Sequence, residues 1–340
     1  MYVTLRGFSA EAEPFARKVG QAVMDYLHVL ARCMDLSGLE RVIVAADYEV
    51  ALAEVNRGIE TKHVLTATKD ELMVGVAMTP AVMRDGVLRS QIILNAALLL
   101  AIVERDPMFP VAISDEEFAE MNTQAHYLIA HEACHAHDHA IIERQLPGWT
   151  LREPIRDYEA GPTLASLSEY VACRLSATFG EERETKNYEE TFVKALAITR
   201  EEGNRLILAY RTSRNLSSII QEFIPLYARL MKAYSYLLGH VHGLQQQMED
   251  AAPEAHKAIQ NTAWFTELAD RWRHALQQGW EIYGKWKSPE EMYVPLQQVF
   301  HEVLRAAGID VQPRPGGDFY IDIPFTRETT PPAVWAFYRL

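Results

Sequence analysis

Cysteine is scarce in this chain: three occur in 340 residues, at positions 33, 134 and 173. So small and odd a number cannot frame a disulfide-rich scaffold, and a reducing compartment is the expectation. A surplus of positive charge is missing too, since 33 Lys and Arg stand against 46 Asp and Glu, a formal net charge of −13. That balance disfavours a nucleic-acid clamp, and no nucleic-acid partner is expected. Long apolar runs are also absent. The longest, IILNAALLLAIV at 92–103, contains Asn95 and is about half the length a bilayer-spanning helix needs. It reads as buried core, and no membrane partner is expected. The first fourteen residues hold no basic stretch followed by an apolar run, so a cytoplasmic location is the expectation. No GxxxxGK[ST], GxGxxG or GxSxG motif occurs, which leaves phosphate-binding and serine acyl-transfer chemistry without support. Repeats and low-complexity segments are missing as well.

What is present is the composition of a globular protein, 49% apolar and 23% charged, in a length that suits one large or two modest domains. The first hundred residues mix signals: helical spacing at 11–36, a β-branched run at 41–46 and a Val/Met/Ala-rich run at 72–83. A small mixed or antiparallel sheet flanked by helices is expected. Asp85-Gly86 stands between the 72–83 run and 88–95, which predicts a hairpin. Ser114 followed by Asp115, Glu116 and Glu117 predicts a capped helix start. That helix can run without Gly or Pro to about residue 145. A connection follows at 149–162, then a helix at 163–179. Residues 189–247 read as helical, with a kink at Pro225. Further helices are expected at 262–285 and 289–307, then a strand-like stretch at 318–324. The fold class is α+β and predominantly helical, with three parts: 1–180, a largely helical 181–310 forming the other wall of a cleft, and a tail at 311–340.

The chemistry concentrates in AHEACHAHDHA at 130–140, where His131-Glu132-Ala133-Cys134-His135 is an HExxH motif inside the expected helix. Two histidines one turn apart share a helix face, so both imidazoles reach one ion. Glu132 flanks that face, from which its carboxylate can take a proton from water and return it to a leaving group. The competing reading is a histidine-rich solvated face or core histidines held by carbonyls. A third ligand separates the two.

The extended HExxHxxGxxH pattern is absent, because Asp138 stands at its Gly position and Ile141 at its third His, which excludes a metzincin. His137 points off the His131/His135 face. His139 shares it, but three ligands from one straight helix make a poor site. The better candidate is Glu169, in the middle of the next helix. Ala165, Ser166, Ala172, Cys173 and Ser176 around it are small enough to let the two helices approach closely.

A mixed sheet, an HExxH helix and a Glu on a following helix together resemble the zincin-like metallopeptidases of the gluzincin type, over residues 70–180. The resemblance implies that His131, His135 and Glu169 bind one Zn2+ per chain, that Glu132 is the general base and acid, and that the substrate is a peptide or protein. Gluzincins carry Asn before the Glu and Asp four residues after it; Ser168 and Cys173 stand there instead. A group that orients the ligand imidazoles is therefore not identified. Asp138 either fills that role or caps a solvated helix end.

A tetrahedral oxyanion needs a donor aimed at it. Tyr170, Tyr236 and His240 are the candidates, with Arg174, Tyr234 and His242 nearby in sequence; for each alone, packing explains the residue equally well. Cys134 lies off the ligand face and reads as a small packed residue. Two other functions stay open. Glu132-Ala-Cys-His135 is also the ExxH element of di-iron carboxylate bundles, but these need a second helical copy, and the other obvious one, Glu60-Thr-Lys-His63, precedes a strand-like segment. A non-catalytic, metal-holding interaction protein is the other. Substrate identity and oligomeric state are not encoded in any motif found.

Overall fold

The computed structural model describes residues 1–60, 64–67, 75–104, 113–150, 160–313 and 319–339. The expected connection at 149–162, the start of the 72–83 run and most of Glu60-x-x-His63 lie wholly or partly outside these residues. The described chain is α+β and mostly helical, with one small mixed sheet and a separate two-stranded hairpin. It divides into two compact units, residues 1–153 with 171–184 and residues 154–170 with 185–340.

The first unit begins with β1 (Tyr2–Arg6), α1 (Glu13–Leu30), β2 (Leu39–Ala45) and the short α2 (Tyr48–Ala53). Next come β3 (Ala77–Met78), β4 (Ala81–Arg84) and β5 (Val87–Asn95), and then α3 (Asp115–Gln145). Strand order is β1-β2-β5-β3, with β4 also on β5; β1, β2 and β5 run parallel, whereas β3 and β4 are antiparallel to β5. β2 reads as a continuous apolar run because both of its faces are covered. Val42 and Val44, with Ile92 and Leu94, pack in the core that α1 and α3 share. Their alternates Ile43, Ala45 and Ile93 pack against Tyr48, Ala51 and Leu52, as a period of two requires.

The hairpin at Asp85-Gly86 forms as expected. Arg84 pairs with Val87, and both turn residues have positive φ, 51° and 76°, the requirement of the two-residue turn that matches strand twist. β3 and β4 are one edge strand interrupted at Thr79-Pro80. Proline cannot donate to a ladder, but its carbonyl still accepts from Gln91 N at 3.1 Å, so the register continues past the break.

α3 begins where the capping box places it. Glu117 N donates to Ser114 Oγ at 3.1 Å, and Ser114 N donates to Glu117 Oε2 at 2.8 Å. Three acids in the first turn complement the helix dipole. Ala125, Ile129, Ala130, Ala133 and Ala136 form the face that joins the sheet core; alanine there lets the backbone sit close to the strands. His131 and His135 are therefore on the face turned away from the sheet.

α4 (Ala160–Ser176) starts three residues earlier than expected, running through Gly161 and Pro162. Proline is tolerated in a first turn, where its missing N–H has no partner to lose. α4 is one uninterrupted helix whose Val171–Ser176 end counts with the first unit.

The expected helical stretch 189–247 is two main helices, α5 (Glu181–Ser213) and α7 (Ile224–Gly243), separated by the short α6 (Leu216–Ser218) and a π-helical turn at Ile219–Phe223. The break has a backbone cause: Arg214 adopts a φ of 57°, which ends a right-handed helix. From Leu216 to Gly243 the backbone stays helical, and Pro225 directly follows the π-helical turn at Ile219–Phe223, a local distortion at the place of the expected kink. The second unit continues with α8 (Met248–Ala251), α9 (Pro253–Gln260), α10 (Thr266–Glu281), α11 (Glu290–Ala306), the antiparallel pair β6 (Asp310–Pro313) and β7 (Phe319–Asp322), and α12 (Pro332–Trp335). Its buried side chains are large and aromatic, among them Phe192, Tyr227, Phe265, Trp272 and Phe300. At Gly203 a Cβ would lie 2.5 Å from the Tyr227 hydroxyl, so only glycine permits that approach. Among the described residues no helix is long and apolar enough to cross a membrane.

Candidate metal centre

α3 carries His131 and His135 one turn apart, and their Nε2 atoms lie 3.2 Å from each other. Two nitrogens each about 2.0–2.1 Å from a tetrahedral zinc are about 3.3 Å apart. The pair thus has the spacing of two ligands before any third group is considered. An imidazole–imidazole hydrogen bond has similar spacing, so the third donor matters. Glu169, on α4, is the candidate: one donor atom from each of His131, His135 and Glu169 lies within 4.8 Å of the others. Two imidazoles and a carboxylate are a donor set of the type that zinc accepts.

Glu132 is buried. Its Oε2 accepts a hydrogen bond from Thr79 Oγ1 at 2.6 Å, and the same hydroxyl stands 3.1 Å from the Glu132 carbonyl oxygen. The Tyr48 phenol is also buried. Burial first, and the Glu132 charge second, push its pKa well above the usual value, so it stays protonated. Among the described residues its hydroxyl has no hydrogen-bond partner. Cys173, four residues beyond Glu169, brings its Sγ to 3.9 Å from His131 Nδ1, the ring nitrogen not turned toward His135.

The remaining histidines of α3 have other occupations. His137 Nδ1 accepts from the Asp35 backbone N–H at 2.8 Å, and burial lowers its pKa. His139 Nδ1 lies 3.0 Å from Ser90 Oγ on β5. Burial, then the neighbouring His135, bring its pKa down from 6.5 to about 3, so it is a neutral packed imidazole. Cys134 is buried with Sγ 4.0 Å from Met34 Sδ, and burial raises its thiol pKa; it is a packed residue, as expected. Asp138 does not cap a solvated helix end. It is 4% exposed and lies mid-helix, seven residues before α3 stops at Gln145.

The aromatic and histidine candidates from later in the chain occupy the second unit. Tyr170 is fully buried, with its hydroxyl 2.9 Å from His242 Nδ1. Tyr236 stacks on Tyr188 at 5.3 Å, and His240 meets the same ring edge-on at 5.7 Å. Tyr234 stacks on Phe192 at 4.8 Å. Comparisons with protein-family models, curated proteins and solved structures gave no match. The site's own geometry therefore carries the functional argument. One residue that meets Glu132, Thr79, is not announced by the sequence. Thr79 sits 53 residues from Glu132 on an interrupted edge strand, and no local pattern signals that pairing.

Proposed function

We propose that this chain is a zinc-dependent hydrolase with a zincin-like core, a metallopeptidase that holds one zinc per chain through His131, His135 and Glu169. The observation that carries the reading is the 3.2 Å approach of two Nε2 atoms one helical turn apart, with a carboxylate donor inside 4.8 Å. Zinc held there would supply Lewis acidity toward a scissile carbonyl and lower the pKa of water. Glu132, adjacent to the first ligand, takes a proton from the attacking water and passes it to the leaving nitrogen. The substrate class is a peptide or protein, and the location is cytoplasmic.

Glu132→Gln tests the division of labour between ligands and base. The variant is expected to retain zinc and to lose about 10²- to 10⁴-fold in kcat on an internally quenched peptide mixture. Hydrolysis by Glu132→Gln equal to that of the parent would sink the mechanism. Iron at two per chain in the parent would point instead to a carboxylate-bridged pair.

A further inference from the structure

We infer that Thr79 is a positioning residue for Glu132, clamping one carboxylate oxygen so that the other, Oε1, is the one that moves the proton; this rests on the hydrolase reading above. The Thr79 hydroxyl has a single hydrogen and two acceptors of Glu132 within reach, Oε2 at 2.6 Å and the carbonyl oxygen at 3.1 Å. The contact to Oε2 is the shorter by half an ångström, so the hydrogen goes to Oε2. Both side chains are buried, Thr79 at 9% and Glu132 at 5% exposure, where an unmade bond to a carboxylate is costly.

The interrupted edge strand explains how the clamp is built. Ladder pairing to β5 covers Ala77–Met78 and resumes at Ala81. Thr79 falls in the gap that Pro80 creates, and its side chain meets α3 at the motif itself. A Glu side chain has several rotamers, and a base that must be reoriented at each turnover loses the advantage of a fixed approach. Anchoring Oε2 to the sheet removes that freedom and makes the two oxygens unequal. In the reaction the water O–H bond breaks as Oε1–H forms, while the water oxygen bonds to the carbonyl carbon. The C–N bond then breaks as the proton passes from Oε1 to nitrogen. Thr79 keeps its own proton throughout.

Two substitutions separate positioning from packing. Thr79→Val keeps the β-branched shape without the hydroxyl, and Thr79→Ser keeps the hydroxyl. On an internally quenched peptide mixture, Thr79→Val is expected to lower kcat by about 10- to 100-fold, with KM and zinc content unchanged, and Thr79→Ser to restore most of it. Full activity in Thr79→Val, or a loss that Thr79→Ser does not rescue, overturns the proposal. A readout independent of turnover is a double-mutant cycle on the zinc-free protein with Thr79→Val and Glu132→Ala. Their effects on the unfolding equilibrium constant should be non-additive by about tenfold or more, and additivity overturns the clamp. A parent that binds zinc yet cleaves none of the peptides defeats the hydrolase reading and the proton role with it, while the cycle still decides the clamp.

Discussion

Two helices in this molecule carry histidine pairs, and the pairs behave in opposite ways. In α3, His131 and His135 are four apart and bring their Nε2 atoms to 3.2 Å. In α7, His240 and His242 are two apart and turn to different neighbours: His240 to the edge of Tyr188 and His242 to the Tyr170 hydroxyl. α3 is richer in histidine, with five against two in α7, but number alone does not set the fate of a pair. Spacing differs, and with it the helix face on which each ring emerges. The surroundings differ as well, since α3 is lined with alanine where it meets the sheet core, while α7 is embedded among aromatic rings. One helix thereby gathers polar groups at a point, and the other consumes them in packing.

The sharpest way to break this comparison is to exchange the fates of the two pairs. His131→Ala or His135→Ala should reduce zinc from one per chain to a trace in elemental analysis, whereas His242→Ala should leave zinc unchanged. Equal zinc loss in all three would show that spacing on α3 is not what makes the site.

Much of α3 is legible in the sequence because its signals are local: a capping box, acids in the first turn, and a motif whose period matches the helix. The Asp85-Gly86 turn is legible for the same reason. Glu169 can be proposed from small neighbours on the next helix, a packing argument that spans a single connection. Thr79 is out of reach, since its bond to Glu132 depends on strand order and on the break at Pro80. β1 gives no signal either: five residues at the start of the chain, none of them fully buried, show little periodicity. The helix break at Arg214 carries no Gly or Pro signal. The solvated-cap reading of Asp138 fails because the helix continues past it and buries it.

A second, smaller effect tests the packing side of the comparison. Trp272 Nε1 donates to Ser235 Oγ at 2.9 Å on α7, and the ring is fully buried. Trp272→Ala should destabilise the protein by about 3–5 kcal/mol in denaturant unfolding, with zinc content per folded chain unchanged. A loss of zinc from the folded variant would tie the α7 packing to the metal centre.

The smallest expected effect concerns His139. Its folded pKa, about 3, lies below the unfolded 6.5, so the unfolded chain binds more protons as the pH falls below 6.5. Stability contributed by the neutral ring is fully present above pH 6.5 and is lost progressively as pH drops toward 3. His139→Gln should flatten the fall of unfolding free energy across that window in zinc-free protein. An unchanged slope would show that the ring is not held neutral by its burial against Ser90.

The most direct test of the metal centre is elemental analysis of protein purified without an affinity metal, comparing the parent with Glu169→Ala. The account predicts one zinc per chain in the parent and its loss in the variant. Zinc retained equally by both, or no zinc in the parent after the ion is offered, would contradict it.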